Sequence, residues 1–199
     1  MRRCHASRCT TSVAELHALV LAGGRGSRMG GVDKGLQLLD GRPLVAHVIQ
    51  RLAPQAGHML VSANRNLDAY AALGHPVLPD PPGLEFAGPL AGMLAGLNAL
   101  PDDAWLLTAP CDCPGVPLDL AERLLAAAEP HGLAFAQAAR EHPTHALLHT
   151  RLRAPLAAHL QGGGRAVLRW MCAQPHGVAH FDDEAAFANL NHLVDLHGQ

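Results

Sequence analysis

Val20-Leu21-Ala22-Gly23-Gly24-Arg25-Gly26-Ser27-Arg28-Met29-Gly30-Gly31-Val32-Asp33-Lys34-Gly35 decides how this chain is read. The apolar run from Ala18 to Ala22 reads as a strand, and it stops abruptly at two glycines. Glycines after a strand let the backbone turn tightly and bring bare N–H groups close to a ligand. Arg25, Arg28 and Lys34 add positive charge to the same loop. A loop built from amides and cations suits a polyphosphate. The competing reading is a glycine-rich surface turn with incidental arginines. The position directly after a strand favours the phosphate loop.

Two common phosphate loops fail here. A Walker A loop needs its lysine followed by Ser or Thr, whereas Lys34 lies between Asp33 and Gly35. A dinucleotide fingerprint begun at Gly24 meets Met29 where its third glycine belongs. What remains is the Leu-x-Gly-Gly, Arg-Met-Gly and Lys succession typical of nucleotidyltransferases, in which the loop wraps a nucleoside triphosphate.

The rest of the chain sets bounds. Its 199 residues suffice for one domain with a proper core. Residues 1–12 read as an extension outside the fold, and 13–199 as a single domain. Lys and Arg number 15 against 17 Asp and Glu, a formal charge of −2, which gives no footprint for nucleic acid. No apolar run approaches the length of a membrane span. Met1–Thr11 has arginines but no apolar stretch behind them, unlike a secretory signal. Five cysteines without framework spacing fit a reduced, cytoplasmic protein, expected to be monomeric. Cys111 and Cys113 flank Asp112, but a lone Cys-x-Cys reads as two small half-buried residues rather than zinc ligands. His142, His145 and His149 read as solvated or hydrogen-bonded side chains around a turn and a strand.

Short apolar runs alternate with amphipathic stretches. Strands are expected at Ala18–Ala22, Met59–Ala63, Pro76–Pro79, Ala104–Ala109, Leu133–Ala138, Ala146–His149 and Val178–Phe181, with a turn at His142-Pro143. Helices are expected from Pro43, over Asn66–Leu73, Pro89–Leu100, Leu118–Ala128, Leu152–Leu160 and Ala166–Met171, with Gly162–Gly164 as a hinge between the last two. This alternation implies an α/β fold of three layers, a mostly parallel sheet with helices on both faces. In such sheets ligands sit beyond the carboxyl ends of the strands. The Gly23 loop, Ser62-Ala63-Asn64, Asp80 and Asp112 all fall at that edge, so residues far apart in sequence converge on one crevice.

The chain resembles the molybdenum cofactor guanylyltransferase family, often called MobA. The likeness rests on Leu21–Gly24, Arg28–Gly35, Ser62–Arg65, Gly88–Met93, Pro110-Cys111-Asp112, His142-Pro143-Thr144 and Asn189-Leu190-Asn191, in order along nearly the whole chain. The first block alone indicates a nucleotidyltransferase. The Gly23-Gly24 pair, Asp33-Lys34 and the later blocks point to the guanylyl branch. The resemblance implies a Rossmann-like nucleotidyltransferase fold that transfers GMP from GTP to the terminal phosphate of molybdenum–molybdopterin with Mg²⁺. It also implies transient contact with other proteins of molybdenum cofactor biosynthesis, and no membrane or nucleic-acid partner.

Site roles follow residue by residue. Lys34, Arg28 and Asp112 form the catalytic set implied by the likeness, with Asp112 the magnesium ligand. Mg²⁺ takes hard oxygens and often only one or two carboxylates. The bland alternative for Asp112 is a cap or turn residue before Pro114, and for Lys34 a solvated surface lysine. Leu21, Ala22, Gly23, Gly24 and Asp80 are the nucleotide-binding candidates. Ser62 stands where the family usually carries asparagine, and Asn64 follows two residues on, so either could meet the nucleotide. Gly88, Pro89, His142, Thr144, Asn189 and Asn191 form the expected wall for the pterin, although Asn191 also fits a helix cap before Leu193. Two rivals remain: a cytidylyl or sugar-phosphate nucleotidyltransferase, and a non-catalytic nucleotide-binding module. The Gly23-Gly24 pair and Asp33 argue against the cytidylyl relatives, and retention of both Asp112 and Lys34 argues against a module without catalysis.

Overall fold

A computed structural model of the protein describes residues 15–24 and 32–190. Strand β1 (Leu16–Leu21) sends Leu16, Ala18 and Val20 into one hydrophobic cluster and Leu19 and Leu21 into another. A strand buried on both faces must lie in the middle of a sheet covered on both sides. It pairs in parallel with β4 (His58–Ser62) and with β6 (Trp105–Pro110), and β4 pairs in parallel with β5 (Val77–Leu78). Beyond β6 the sheet changes character. Strand β8 (Glu141–His149) runs antiparallel to both β6 and β7 (Leu133–Gln137), and β9 (Gly177–His180) runs parallel to β7. The order is β5-β4-β1-β6-β8-β7-β9, a mostly parallel sheet as expected.

Helices cover both faces. On one side α1 (Leu44–Leu52), α2 (Leu67–Ala71) and α4 (Leu120–Ala128) contribute Val45, Val48, Tyr70, Leu120 and Leu124 to the core. On the other, α3 (Pro89–Ala99), α5 (Arg153–Gln161) and α6 (Val167–Cys172) contribute Leu90, Met93, Leu156, Trp170 and Met171. Gly162–Gly164 separates α5 from α6. The strands β2 (Leu38–Leu39) and β3 (Arg42–Pro43) form a small hairpin that the apolar pattern did not announce. Asp40 and Gly41 turn it with φ of 50° and 75°, the mirror-image turn that tight hairpins prefer. Among the described residues no helix is long and apolar enough to cross a membrane.

One sequence expectation is corrected. His142-Pro143 is not a turn. Strand β8 runs through it, and the reversal from β7 lies at Ala138–Arg140, where the Ala138 N–H donates to the Arg140 carbonyl at 2.9 Å. The reason lies in the register. Phe135 pairs with Ala146, but its neighbour Ala136 pairs with His142, so residues 143–145 bulge out of the ladder. A proline has no N–H to give the ladder and is tolerated at such a bulge. The expected extension 1–12 lies outside the described residues.

Candidate active site

The carboxyl ends of β1, β4, β5 and β6 open into one crevice of about 290 Å³, at the low end of the range for small-molecule sites. Leu21, Ala22, Gly23 and Gly24 line it from β1, Ser62 from β4, Asp80 from beyond β5, and Pro110, Cys111 and Asp112 from β6. Gly88 and Pro89 close it from the start of α3. Thr144 reaches it from the β8 bulge, its carbonyl accepting from Thr108 Oγ1 at 2.9 Å. Bulges re-aim side chains beside active sites, and here the irregularity brings one residue of the antiparallel half to the parallel half's crevice.

Lys34 and Asp112 meet at the crevice, Nζ to Oδ2 at 3.3 Å, from positions 78 residues apart. Lys34 begins a single 3₁₀ turn, Lys34–Leu36, and Asp112 follows β6 directly. The next residue, Gly35, has no room for a side chain: a Cβ there would overlap the Tyr70 hydroxyl and lie 3.3 Å from Cys111 Sγ. Burial pushes both the Cys111 and Cys113 thiols above their usual range, with Asp112 adding to the effect. They are therefore protonated at neutral pH.

A second polar group surrounds Gly23. Asn64 Nδ2 donates to the Gly23 carbonyl at 3.2 Å and to Asp80 Oδ2 at 2.7 Å, while its Oδ1 accepts from the Asp80 N–H at 2.8 Å. Phe86 N–H also donates to Asp80 Oδ2, at 2.9 Å. Both side-chain bonds fall on the same oxygen, so Oδ1 carries none among the described residues and faces Gly23. Burial raises the Asp80 pKa, and the Asn64 and Phe86 hydrogen bonds oppose it. Asn64 thus spends its amide on Gly23 and Asp80, whereas Ser62 lines the crevice with a hydroxyl that has no hydrogen-bond partner among the described residues. Gly92 of α3 lets the helix lie against Ser62: a Cβ there would sit 2.5 Å from Ser62 Oγ.

The expected pterin wall divides. Gly88, Pro89 and Thr144 line the crevice, while His142 and Asn189 do not. His142 Nε2 pairs with Glu184 Oε2 at 3.0 Å, and its ring stacks on Phe187 at 4.4 Å. Asn189 Oδ1 accepts from Cys113 Sγ at 2.6 Å, and the Leu190 N–H donates to the Asp112 carbonyl at 2.9 Å. Residues 184–190 therefore form a strap behind Asp112. Arg28 and Asn191 lie outside the described residues. Sequence reasoning gave no site role to Arg65, Tyr70, Gly35 or Gly92. A glycine inside a buried helix is costly unless something packs against it closely, so Gly92 carried a signal. Tyr70 carried none beyond an aromatic residue on a short helix.

The family model for a MobA-like NTP transferase domain matches residues 18–178. The chain is 46% identical over 195 residues to a molybdenum cofactor guanylyltransferase of Ralstonia nicotianae, covering 92% of this chain and 95% of that one. It is 47% identical over 189 residues to the protein of the same name from Bordetella petrii, covering 92% and 95%. Among solved structures it is similar to molybdopterin-guanine dinucleotide biosynthesis protein A of Archaeoglobus fulgidus, with a TM-score of 0.71, 20% identity and coverage of 92% and 95%. It is likewise similar to 2-C-methyl-D-erythritol 4-phosphate cytidylyltransferase of Thermus thermophilus, with a TM-score of 0.68, 20% identity and coverage of 92% and 96%. At those identities the two structures speak for the fold alone: a Rossmann-like α/β architecture shared by nucleotidyltransferases of different substrates.

Proposed function

The chain belongs to the MobA-like NTP transferase family, and from that premise we propose how its crevice works. It is a nucleotidyltransferase that transfers GMP from GTP to the terminal phosphate of molybdenum–molybdopterin, yielding the guanine dinucleotide form of the cofactor and pyrophosphate. An oxygen of the acceptor phosphate attacks the α-phosphorus of GTP. The new P–O–P bond forms as the bond to the β-phosphate breaks, and pyrophosphate departs with that electron pair. Catalysis is then mainly positioning and charge stabilisation.

The observation that carries this reading is the Lys34–Asp112 pair, 3.3 Å apart beside the Gly23-Gly24 turn. Lys34, with Arg28, holds phosphate oxygens, and the bare amides after β1 receive the rest. Asp112 fits Mg²⁺. It is a hard carboxylate at a strand end, and the neighbouring thiols are protonated. Among the described residues no three or more His, Cys, Asp and Glu side chains gather as a metal cage, and magnesium with nucleotide phosphates needs only one or two carboxylates. When bound there, the metal neutralises charge on the triphosphate. Asp80 Oδ1 and the carbonyls of Leu21–Gly23 suit guanine, whose N1–H and N2 amino group require acceptors, and the Ser62 hydroxyl is the polar side chain left to meet the nucleotide. Gly88, Pro89 and Thr144 border the acceptor. The reading includes a single domain over 13–199 acting as a monomer in the cytoplasm, in transient contact with other proteins of the pathway.

Turnover with each of GTP, CTP, ATP and UTP, Mg²⁺ and the molybdenum–pterin acceptor tests it. GTP is expected to be the preferred donor. Equal turnover with CTP overturns the guanine assignment.

A further inference from the structure

Asp33 is nearly buried, at 9% exposure, and an ionised carboxylate in such a place must be matched by donors. Among the described residues, the donors to its carboxylate all come from α2 and the residues leading into it. Oδ1 accepts from the Tyr70 hydroxyl at 2.5 Å, and Oδ2 from Asn66 Nδ2 at 2.9 Å. Arg65 Nε lies 3.5 Å from Oδ2 as an ion pair, and Arg65 Nη2 donates to the carbonyl of Val32 at 2.8 Å. Asn66 adopts the left-handed region, φ 50°, a conformation that non-glycine residues take at some cost and that here accompanies its bond to Asp33. On the far side of Lys34, Gly35 fits flush against the Tyr70 hydroxyl and Cys111. The backbone on both sides of Lys34 is thus gripped by one short helix, and Tyr70 takes part in both grips. Burial, with Cys111 and Asp33 adding to it, holds the Tyr70 hydroxyl far above its usual pKa, so it is a permanent donor.

We infer that Tyr70, acting through Asp33, is a positioning residue that sets where Lys34 meets the phosphates of the nucleotide. The inference rests on the phosphate role of Lys34 given above. A tyrosine present only to fill the core would contribute to stability in the same way whatever stood at position 34. A positioning tyrosine matters to the ligand only while Lys34 is there to be positioned.

A double-mutant cycle on the full chain separates the two. The probe is GTP with Mg²⁺, and the readout is its dissociation constant by titration calorimetry. Tyr70→Phe keeps the ring beneath Gly35 and removes one hydrogen bond to a carboxylate. It is expected to weaken GTP binding about five- to ten-fold, a part of what one hydrogen bond to a charged group is worth. In the Lys34→Ala background the same change is expected to have almost no further effect. An equal loss in both backgrounds, or no loss in the presence of Lys34, overturns the inference. Should Tyr70→Phe fail to fold, the exposed Asn66, the other donor to Asp33, serves in its place as Asn66→Ala, with the same two expectations. If Lys34→Ala itself leaves GTP binding and turnover unchanged, it is the phosphate role of Lys34 that fails, and the positioning inference falls with it.

Discussion

Lys34 and Asp112 face each other across 3.3 Å, yet the fold supports them in opposite ways. Lys34 is held from within. The carboxylate of Asp33, the hydroxyl of Tyr70 and the missing side chain of Gly35 fit together under the protein surface. Asp112 is held from behind by a strap, and its main bond is between backbones, Leu190 N–H to Asp112 carbonyl. The pins of that strap lie further out: Glu184 is about a third exposed where it meets His142 and Arg140. A side-chain network depends on every member, whereas a backbone bond survives changes of side chain. The two halves of the proposed catalytic pair should therefore respond differently to mutation.

The largest effects should be common to both. Lys34→Ala and Asp112→Ala are each expected to cut turnover by about two to three orders of magnitude, the usual loss when one group aimed at developing charge is removed. Asp112→Ala should melt near the wild-type temperature, because a carboxylate at a strand end leaves no core cavity. Unfolding near room temperature, or wild-type turnover, would remove Asp112 from the chemistry.

A middle-sized effect should split the two supports. Gly35→Ala places a methyl group on the Tyr70 hydroxyl, an overpacking that costs about 1–3 kcal/mol and displaces Lys34. GTP affinity is expected to fall about ten-fold, the change that corresponds to a Lys34–phosphate contact weakened by about 1.4 kcal/mol. Asn189→Ala, on the strap, removes the Oδ1 that accepts from the Cys113 thiol and should change GTP affinity less than about three-fold, in keeping with a weak thiol donor. Equal losses in the two variants would erase the contrast.

The smallest effect concerns stability in acid on the Asp112 side. His145, on the bulge of β8, touches Phe187 of the strap at a centroid distance of 4.9 Å. Both its ring nitrogens are buried without a hydrogen-bond partner among the described residues. Burial, with His142 adding, pulls its pKa from 6.5 down to about 3. The unfolded chain takes up a proton as pH falls through 6.5, and the folded chain does not until about 3. Stability is therefore lost progressively across that window as the solution is acidified. His145→Leu should flatten the loss and raise the melting temperature at pH 5 by a few degrees, about 4–8 °C per kcal/mol for a small domain and less for a larger one. The check is a pair of melting curves at pH 7 and pH 5. A wild-type pH slope in the variant would show that His145 does not set it.

The parallel half was legible in the sequence because its signals are local. Two glycines after Val20-Leu21-Ala22 mark the end of β1. Asp80 and Asp112 stand just past short apolar runs, and the rule that ligands gather beyond strand ends brought them together. The antiparallel half was read less well. His142-Pro143 has the chemistry of a turn, and the same chemistry serves a bulge. Which of the two it becomes depends on β6 and β7, far away in sequence. The Tyr70–Asp33 bond joins residues 37 apart, and nothing in the local pattern distinguishes that tyrosine from any buried aromatic residue. His142 and Asn189 were expected in the pterin wall; neither lines the crevice, and their partners, Glu184 and Cys113, come from contacts that periodicity does not report.

The strap also gives the site a place in time. A ribosome makes Lys34, then Asp112, and only much later Asn189 and Leu190; the Cys113–Asn189 contact spans 76 residues. Closing so long a loop adds little to the equilibrium cost, about 0.6 kcal/mol for each doubling of length, but it fixes an order of events. All nine strands of the described residues, the last ending at His180, are already synthesised before the backing of Asp112 exists. A growing chain can assemble its sheet and its glycine turn while the carboxylate still lacks its support, so the braced site is the last part of the described molecule to be finished.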